Sequence, residues 1–344
     1  MGHAYVGLGC GLLFGLSLAG CDPGEPIVPA TLGEATEIPL AVGFEPLSLE
    51  PGDFDGDGVV DLLVGGVGAG GVVQGAVLRG LGDGSFAPAI DAHFVACSAY
   101  PVVGRMSDDA RDDVAALGCP RTMEVLAGQA DATLAPWAPW PEPRYGIVRS
   151  SAIADFEGDG DGDLVTLRRA NVSGSDFVLP EMQIDVTSGA GGDGIWGFVT
   201  TTFAQTQWSG FDPGQLSVAD FDGDALLDVA LTQRDNDVVR LFGTAETTFA
   251  LPLELGVTVA PWSTRVADLD LDGLDDLVVS SYLGAELQVQ LSRGITGFDG
   301  LPSFALGDLS PYDTALGDVD GDGIPDAAFV DDGQPALRWL PGDG

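Results

Sequence analysis

Basic side chains are scarce in this sequence, and one common kind is missing altogether. There is no lysine, and 13 arginines and two histidines stand against 53 acidic residues, so the formal net charge is −40. The lack of lysine excludes Schiff-base chemistry and a lysine general base, and we find no Gly-x-Ser-x-Gly elbow, phosphate-binding loop or zinc-ligand spacing. We therefore predict that the chain is not an enzyme, although its many carboxylates leave a glycosidase-like pair open. The negative field also argues against nucleic acid and anionic lipid as partners.

Cysteine is also rare, and two of the four cysteines fall in the N-terminal segment. Residues 4–20 are apolar but too short for a comfortable membrane span, and the tetrapeptide LAGC ends at Cys21. This ending resembles the bacterial lipobox, in which the cysteine is lipidated and becomes the first residue of the mature chain. The resemblance implies a signal peptide over 1–20, a lipid anchor on Cys21, a flexible tether over 21–34 and a place in the bacterial cell envelope, periplasmic or at the cell surface. An ordinary cleaved signal or a core segment is the alternative.

The remaining two cysteines, Cys97 and Cys119, form an even pair in a chain that we expect to be exported. Disulfides persist in such compartments, so we predict a bond between them. They also lie at similar distances from a predicted turn over 105–113, which places them nearly opposite each other at the open end of a hairpin.

A short acidic motif recurs through the chain. It reads DFDGDGVVDLLVG at 53–65, and it is followed by a divergent copy, RMSDDARDDVAAL, at 105–117. Four further copies occupy residues 155–167, 220–232, 268–280 and 318–330. Successive copies begin 48 to 65 residues apart. The chain is therefore an array of units with a period of about fifty residues.

Each unit reads as short apolar strands separated by turn residues. One strand precedes the acidic loop, one follows it directly, a third is exemplified by Glu286–Ser292, and a fourth often opens with phenylalanine, as at Phe86 and Phe298. This pattern, without a helical period, predicts an all-β β-propeller with four strands in each blade. Because the last unit lacks a fourth strand and the segment 35–43 is a lone strand, we predict six blades over 35–344, closed by the N-terminal strand. A seventh blade inside 163–219 is the alternative.

The acidic motif has the frame Asp-x-Asp-x-Asp-Gly-x-x-Asp. Carboxylates at positions 1, 3, 5 and 9, with the backbone carbonyl at position 7, can surround one hard cation, and Gly at position 6 allows the tight turn. Ca²⁺ accepts six to eight oxygens in flexible geometry, whereas Mg²⁺ demands a stricter octahedron and Zn²⁺ favours Cys and His. The motif therefore predicts about five calcium sites.

The first five positions resemble an EF-hand, but the last carboxylate comes at position 9 rather than 12, and a strand follows. With its DLLVG tail, the loop resembles the FG-GAP/VCBS repeats, the calcium-binding units of the integrin α-subunit propeller and of many bacterial surface proteins. The resemblance covers residues 35–344. It implies a β-propeller with calcium between the first and second strands of each blade.

The predicted calcium ligands follow from the motif position by position. In chain order they are Asp53, Asp55, Asp57, Val59 (carbonyl) and Asp61; Asp155, Glu157, Asp159, Asp161 (carbonyl) and Asp163; Asp220, Asp222, Asp224, Leu226 (carbonyl) and Asp228; Asp268, Asp270, Asp272, Leu274 (carbonyl) and Asp276; and Asp318, Asp320, Asp322, Ile324 (carbonyl) and Asp326. Ala225 replaces the glycine of position 6 in the 220–228 loop, so we expect a strained turn and a weaker site there.

The divergent copy has Arg105, Ser107, Asp109 and Asp113 at positions 1, 3, 5 and 9. A guanidinium supplies donors rather than a ligand, so we predict no calcium there and an ion pair of Arg105 with Asp109 or Asp113 in place of the ion. The predicted disulfide would then hold this blade together.

An aromatic residue lies at or just before the start of each first strand, on the face opposite the predicted calcium loops. These residues are Phe44, Tyr100, Tyr145, Phe211, Trp262 and Tyr312. Such a set around a channel suits sugar rings or partner side chains, and packing between blades is the alternative. We predict an extracytoplasmic module that binds a protein or a glycan. The other possibilities are a carbohydrate-active enzyme such as a polysaccharide lyase, and a scaffold subunit of an envelope complex.

Overall fold

The structure is a computed structural model, and the description concerns the following residues: 36–40, 44–92, 100–107, 109–117, 123–140, 147–156, 162–170, 181–187, 200–207, 213–233, 238–242, 244–245, 248–249, 253–257, 260–281, 283–306, 311–331 and 336–342. This part of the chain is all-β, as predicted, and its one helical element is the short 3₁₀ turn Gly294–Thr296. Among these residues we find no helix with the length and apolar character needed to cross a membrane.

The strands are numbered in chain order. They are β1 Thr36–Pro39, β2 Glu45–Gly52, β3 Asp61–Gly68, β4 Val72–Leu78, β5 Ile90–Ala92, β6 Val102–Gly104, β7 Asp113–Leu117, β8 Met123–Gly128, β9 Leu134–Trp140, β10 Ile147–Ala154, β11 Asp163–Ala170, β12 Glu181–Thr187, β13 Thr200–Gln207, β14 Pro213–Ala219, β15 Asp228–Gln233, β16 Val238–Phe242, β17 Thr244–Ala245, β18 Thr248–Phe249, β19 Leu253–Gly256, β20 Pro261–Ala267, β21 Asp276–Ser281, β22 Glu286–Ser292, β23 Phe298–Gly300, β24 Phe304–Ala305, β25 Pro311–Gly317, β26 Asp326–Asp331 and β27 Ala336–Leu340.

The strands pair in antiparallel sheets, one for each acidic loop. In chain order the sheets contain β2-β3-β4-β5, β6-β7-β8-β9, β10-β11-β12-β13, β14-β15-β16-β19, β20-β21-β22-β23 with β24 also on β22, and β25-β26-β27-β1. A small hairpin of β17 and β18 lies between β16 and β19 in the sequence. In the sixth sheet β1 pairs with β27, with Thr36 opposite Trp339 and Pro39 opposite Ala336.

Apolar side chains of consecutive sheets meet in separate clusters. Phe54 of the first acidic loop and Leu63 of the first sheet pack with Val114 and Leu126 of the second sheet. Comparable clusters lie between each following pair of sheets. A further cluster joins the sixth sheet to the first, where Trp339 packs near Leu62. Second strands such as β15 and β21 are buried along their whole length, because both of their faces meet a neighbouring sheet.

The first strands of the sheets form the inner ring. β2, β6, β10, β14, β20 and β25 contact one another in that order, and β25 contacts β2. In the part of the chain that the structure describes, each of these strands has one edge without a strand neighbour, so its backbone groups need other partners. Side chains of adjacent first strands supply some of them: Ser150 Oγ accepts from Leu216 N at 2.9 Å, and Ser217 Oγ donates to Thr264 O at 2.8 Å.

Five of the six inner strands contain a β-bulge near their start. The register skips a residue between Pro46 and Ser48, and again between Pro261 and Ser263 and between Pro311 and Asp313. Similar shifts occur in β10 and β14. A bulge leaves one residue outside the ladder and re-aims its side chain. In β20 and β25 the bulged residues are aromatic.

Candidate metal centres and the central polar cluster

Four of the acidic loops bring carboxylates together. In each loop, three carboxylate oxygens lie within 4.8 Å of one another. The groups are Asp53, Asp55 and Asp57; Asp220, Asp222 and Asp228; Asp268, Asp270 and Asp276; and Asp318, Asp320 and Asp326. All of these residues belong to the predicted ligand set.

The loop backbone is folded around the aspartate at position 1. Asp53 Oδ1 accepts from Gly56 N at 2.8 Å and from Asp57 N at 3.1 Å, and its Oδ2 accepts from Gly58 N at 3.0 Å. The loops that begin at Asp220 and Asp318 repeat the bonds from positions 4 and 6. These turns require positive φ, which Gly56 and Gly58 adopt at 78° and 83°.

The aspartate at position 9 has a second role that the sequence argument missed. Asp61 Oδ2 accepts from Phe54 N at 3.0 Å and its Oδ1 accepts from Gly80 N at 2.8 Å, so one carboxylate joins the loop to the end of the third strand. Asp276 and Asp326 make the corresponding pairs of bonds. Asp113 does the same in the divergent loop, with Met106 N and Gly128 N. Position 9 therefore has a structural function even where positions 1 and 3 have lost their carboxylates.

The donor set fits a hard divalent cation. The side-chain donors of each group are carboxylate oxygens, and Asp270 Oδ1 is buried with no hydrogen-bond partner among the described residues. Burial raises the pKa of Asp61 to about 7, with smaller contributions from the Asp55 and Asp57 carboxylates, while its backbone hydrogen bonds lower it. Burial likewise raises the pKa of Asp276 to about 7. A bound cation would offset both costs.

Two acidic loops remain: the 155–163 loop is described only in part, and the 105–113 loop has the divergent sequence. In the 155–163 loop, Asp163 Oδ2 accepts from Phe156 N at 2.8 Å, and Glu157, Asp159 and Asp161 lie outside the described residues, as do Cys21, Cys97 and Cys119. In the 105–113 loop, Asp109 forms an ion pair with Arg111, whose Nε donates to Gly128 O at 2.9 Å. The guanidinium beside Asp109 is that of Arg111. The ion pair of Arg105 with Asp109 or Asp113 stays a prediction.

Ala225 adopts φ of 70°, the left-handed conformation that glycine adopts at the same position of the other described calcium-type loops, as Gly273 does at 91°. This agrees with the strain expected from the sequence. We predict that Ala225→Gly stabilises the calcium-loaded protein by about 0.5–1 kcal/mol and tightens calcium binding at this loop, because the left-handed penalty of an L-residue outweighs the extra freedom of glycine in the unfolded chain. The reverse exchange, Gly273→Ala, is the matched control, since an added Cβ there would meet no atom within 4 Å. Thermal melts that move in the same direction for both variants would contradict the prediction.

Two loops have an arginine against the position 3 carboxylate. Arg293 Nη1 lies 2.9 Å from Asp270 Oδ2 and 3.4 Å from Asp272 Oδ2, and Arg79 Nη1 lies 3.5 Å from Asp55 Oδ2. A guanidinium in this place competes with a cation for the same oxygens. We predict that Arg293→Gln raises the calcium affinity of the 268–276 loop about two- to fivefold, as expected for loss of one partly exposed competing ion pair. Calorimetric titration would measure this, with Arg79→Gln as a control of smaller effect; weaker calcium binding in Arg293→Gln would show that the arginine instead positions the ligands.

The predicted aromatic face divides into two groups. Phe44 is only 5% exposed and packs in the cluster between the sixth and first sheets, so packing between sheets accounts for it. Tyr312 contacts both Tyr100 and Trp262: the Tyr100 and Tyr312 hydroxyls are 3.2 Å apart, and the Trp262 and Tyr312 ring centroids are 4.7 Å apart. Tyr145 and Phe211 lie outside the described residues.

A polar cluster that sequence reasoning missed joins four inner strands. Arg265 Nη2 lies 2.8 Å from Glu50 Oε1 and 3.0 Å from both carboxylate oxygens of Asp313, and it also donates to Leu49 O at 3.0 Å. Gln215 Nε2 donates to Asp313 Oδ2 at 3.3 Å. Burial raises the pKa of Glu50 to about 7 and also raises that of Asp313, while Arg265 lowers both in part. We call Glu50, Gln215, Arg265 and Asp313 the central polar cluster.

Comparison with known proteins supports the repeat and the fold. Residues 220–279, which span two of the acidic loops, match a family model described as an FG-GAP-like repeat. No curated protein matches the sequence at a significant level. An α-L-arabinanase from Penicillium chrysogenum, solved in complex with arabinobiose, is 13% identical over 89% of this chain and 98% of its own, with a TM-score of 0.52. The protein named BBS1N, solved in complex with ARL6DN, is 11% identical over 90% of this chain and 96% of its own, with a TM-score of 0.54.

A periplasmic gluconolactonase of Pseudomonas aeruginosa also matches, at 16% identity over 76% of this chain and 86% of its own, with a TM-score of 0.47. The likeness to the arabinanase and to BBS1N shows a propeller-type fold. The prediction that the chain is not an enzyme is wrong, because an enzyme, the arabinanase, is among the solved structures of similar fold.

Proposed function

We propose that the chain is a calcium-stabilised propeller of six blades, closed by β1 on the sixth sheet, that binds a protein or glycan in the bacterial cell envelope. The ring of contacts among the first strands and the pairing of β1 with β27 support this closure. The lipobox-like LAGC at Cys21 supports a lipid anchor.

The observation that carries the proposal is the convergence of three carboxylates in each of four loops. Such groups repel one another unless a cation lies between them, and oxygen-only donors on a flexible loop suit calcium. Because each loop joins the first and second strands of one sheet, calcium would stabilise every blade that has an intact motif.

Calorimetric titration of the metal-free chain tests the calcium sites. We expect at least four sites, with weaker binding of magnesium and no site contributed by the 105–113 loop. Fewer than two calcium ions per chain would overturn this part of the proposal.

The binding face is supported by the meeting of Tyr100, Trp262 and Tyr312 at the start of the inner strands. Capture of glycans and of envelope proteins by the calcium-loaded chain tests it. We expect Tyr100→Ala to lose the captured ligand while retaining the parent melting temperature. Identical capture by the variant would show that the ligand binds at another surface.

A carbohydrate-active enzyme is the second candidate, and the central polar cluster favours it. Glu50 and Asp313 both contact the Arg265 guanidinium, so two carboxyl groups lie close together on the inner strands. The arabinanase of similar fold was solved with a bound sugar. Hydrolysis of an oligosaccharide that Glu50→Gln abolishes would favour the enzyme. Binding without turnover would favour the binding module.

A further inference from the structure

The three aromatic residues meet over the centre of the inner ring. Trp262 and Tyr312 are the bulged residues of β20 and β25, each following a proline, and Tyr100 lies two residues before β6. In the ring, β2 lies between β25 and β6. The hydroxyl contact between Tyr100 and Tyr312 therefore bridges two sheets that are not neighbours, which places both side chains across the ring.

The central polar cluster lies on the inner strands, and two of its members follow these aromatic residues in the chain. Asp313 directly follows Tyr312 in the chain and is 1% exposed, and Arg265 is three residues beyond Trp262. One buried oxygen of the cluster, Gln215 Oε1, has no hydrogen-bond partner among the described residues. Buried polar atoms without partners are costly, so a hydroxyl group of a ligand or a water would be stabilised there.

The charges of the cluster restrict the ligand. Arg265 is its one cationic group among the described residues, and hydrogen bonds from the guanidinium to Glu50, Asp313 and the backbone carbonyls of Leu49, Thr264 and Thr314 already engage it. An acidic ligand would meet two carboxyl groups with no free cation, within a chain of net charge −40. A neutral, hydroxyl-rich ligand can instead pack against the aromatic rings and hydrogen-bond with the carboxyl groups.

We propose that Tyr100, Trp262 and Tyr312, with Glu50, Gln215 and Asp313 of the central polar cluster, form a binding site for a neutral sugar residue of a glycan, and that this site rejects uronic acids. The inference rests on the proposed binding face and names its ligand class. It also argues against a polyuronide as the substrate of any enzymatic activity here.

Calorimetric titration of the calcium-loaded chain with neutral tetrasaccharides of arabinose, xylose, mannose and glucose, and with tetragalacturonate, tests the site. We expect at least one neutral tetrasaccharide to bind more than about tenfold tighter than tetragalacturonate. Tyr100→Ala should weaken that binding at least about fivefold, because Tyr100 is 37% exposed and its ring contributes contact rather than core packing. Leu283→Ala is the matched control: Leu283 is 70% exposed on the loop before β22, on the same face but outside the site, and its replacement should leave the affinity unchanged.

A second variant tests the charge argument. Glu50→Gln removes one carboxylate, so it should raise the affinity for tetragalacturonate and reduce the discrimination against it severalfold. Equal or tighter binding of tetragalacturonate by the parent chain would overturn the inference, and so would neutral binding that Tyr100→Ala leaves intact. Capture of a protein, dependent on Tyr100, without any glycan binding would overturn the inference and leave the proposed binding function standing. The absence of both glycan binding and protein capture would overturn the inference and the proposed binding function together.

Discussion

Replacing Arg265 with methionine should destabilise the protein by about 3–5 kcal/mol, the loss measured when one partner of a buried ion pair is removed. The variant would leave Glu50 and Asp313 buried without their cation, and the carbonyls of Leu49 and Thr314 without their donor. Since these groups belong to the fifth, sixth and first sheets, we expect the seam of the ring to open first. Denaturant unfolding, followed by tryptophan fluorescence, would measure the change.

Arg338→Met is the matched control for this experiment. Arg338 pairs with Glu37 at 3.2 Å between β27 and β1, but Glu37 is 59% exposed, so the loss should be under about 1 kcal/mol. Removing the carboxylates as well, in Arg265→Met with Glu50→Gln and Asp313→Asn, should recover part of the stability, because the central polar cluster then contains no buried charge. Equal losses for Arg265→Met and Arg338→Met would show that the central polar cluster has no special energetic role.

The local features of the fold were predictable from the sequence, because they depend on residues close together in the chain. Strand β22 has the predicted bounds Glu286–Ser292, set by turn residues on either side. The loop turns follow from glycine at positions that require positive φ. The exception is position 4 of the 268–276 loop, where Leu271 adopts a φ of 57° and other loops have Gly56 or Gly223. The sequence of the motif therefore predicts short-range geometry of this kind.

Weak strands at the outer edge were harder to predict. Phe298 does open the fourth strand of the fifth sheet, but Phe86 makes only an isolated bridge with Gly80, and the fourth strand of the first sheet is Ile90–Ala92. An outer strand has one neighbour and few buried contacts, so its place depends on how the preceding turn closes. Local propensity cannot decide that.

The central polar cluster was missed because its members are far apart in the chain: Glu50 and Arg265 are 215 residues apart. One signal was available in the repeat. Glu50 and Arg265 both stand three residues before the first aspartate of their acidic loops, so the repeat puts them at the same height in the ring. Charged residues in inner strands that are otherwise small or apolar could therefore have been paired once the units were aligned.

Removing calcium should lower the melting temperature by more than about ten degrees. At a free calcium concentration one hundred times the dissociation constant, each site adds about 2.7 kcal/mol, so four sites add on the order of 10 kcal/mol, and 1 kcal/mol corresponds to about 2–4 °C in a domain of 150–250 residues. Differential scanning calorimetry in calcium, in magnesium and in calcium-free buffer would measure the effect. Coincident transitions in all three would contradict a stabilising role for the loops.

Two variants distinguish calcium binding at the loops from a general effect of ionic strength. Asp222→Asn removes one member of a carboxylate group, so it should reduce the calcium stoichiometry or affinity and part of the stabilisation. Asp109→Asn removes a carboxylate from the divergent loop, where Arg111 is its partner, and should leave the response to calcium unchanged. Equal responses would point to screening of the whole negative surface rather than to bound ions.

The stabilisation of the protein by calcium should also depend on pH. Without an ion, burial raises the pKa of Asp61 and Asp276 from 3.8 in the free side chain to about 7 in the folded protein. The folded state then binds more protons than the unfolded state between these values, so the stability of the calcium-free protein should fall as the pH rises from about 4 to about 7. Calcium binds the ionised carboxylates and should therefore stabilise most above about pH 7 and least near pH 4. A calcium-induced shift in melting temperature that is the same at about pH 5 and about pH 8 would mean that these buried aspartates are not coupled to the ion, and that their role is limited to joining the loop to the third strand.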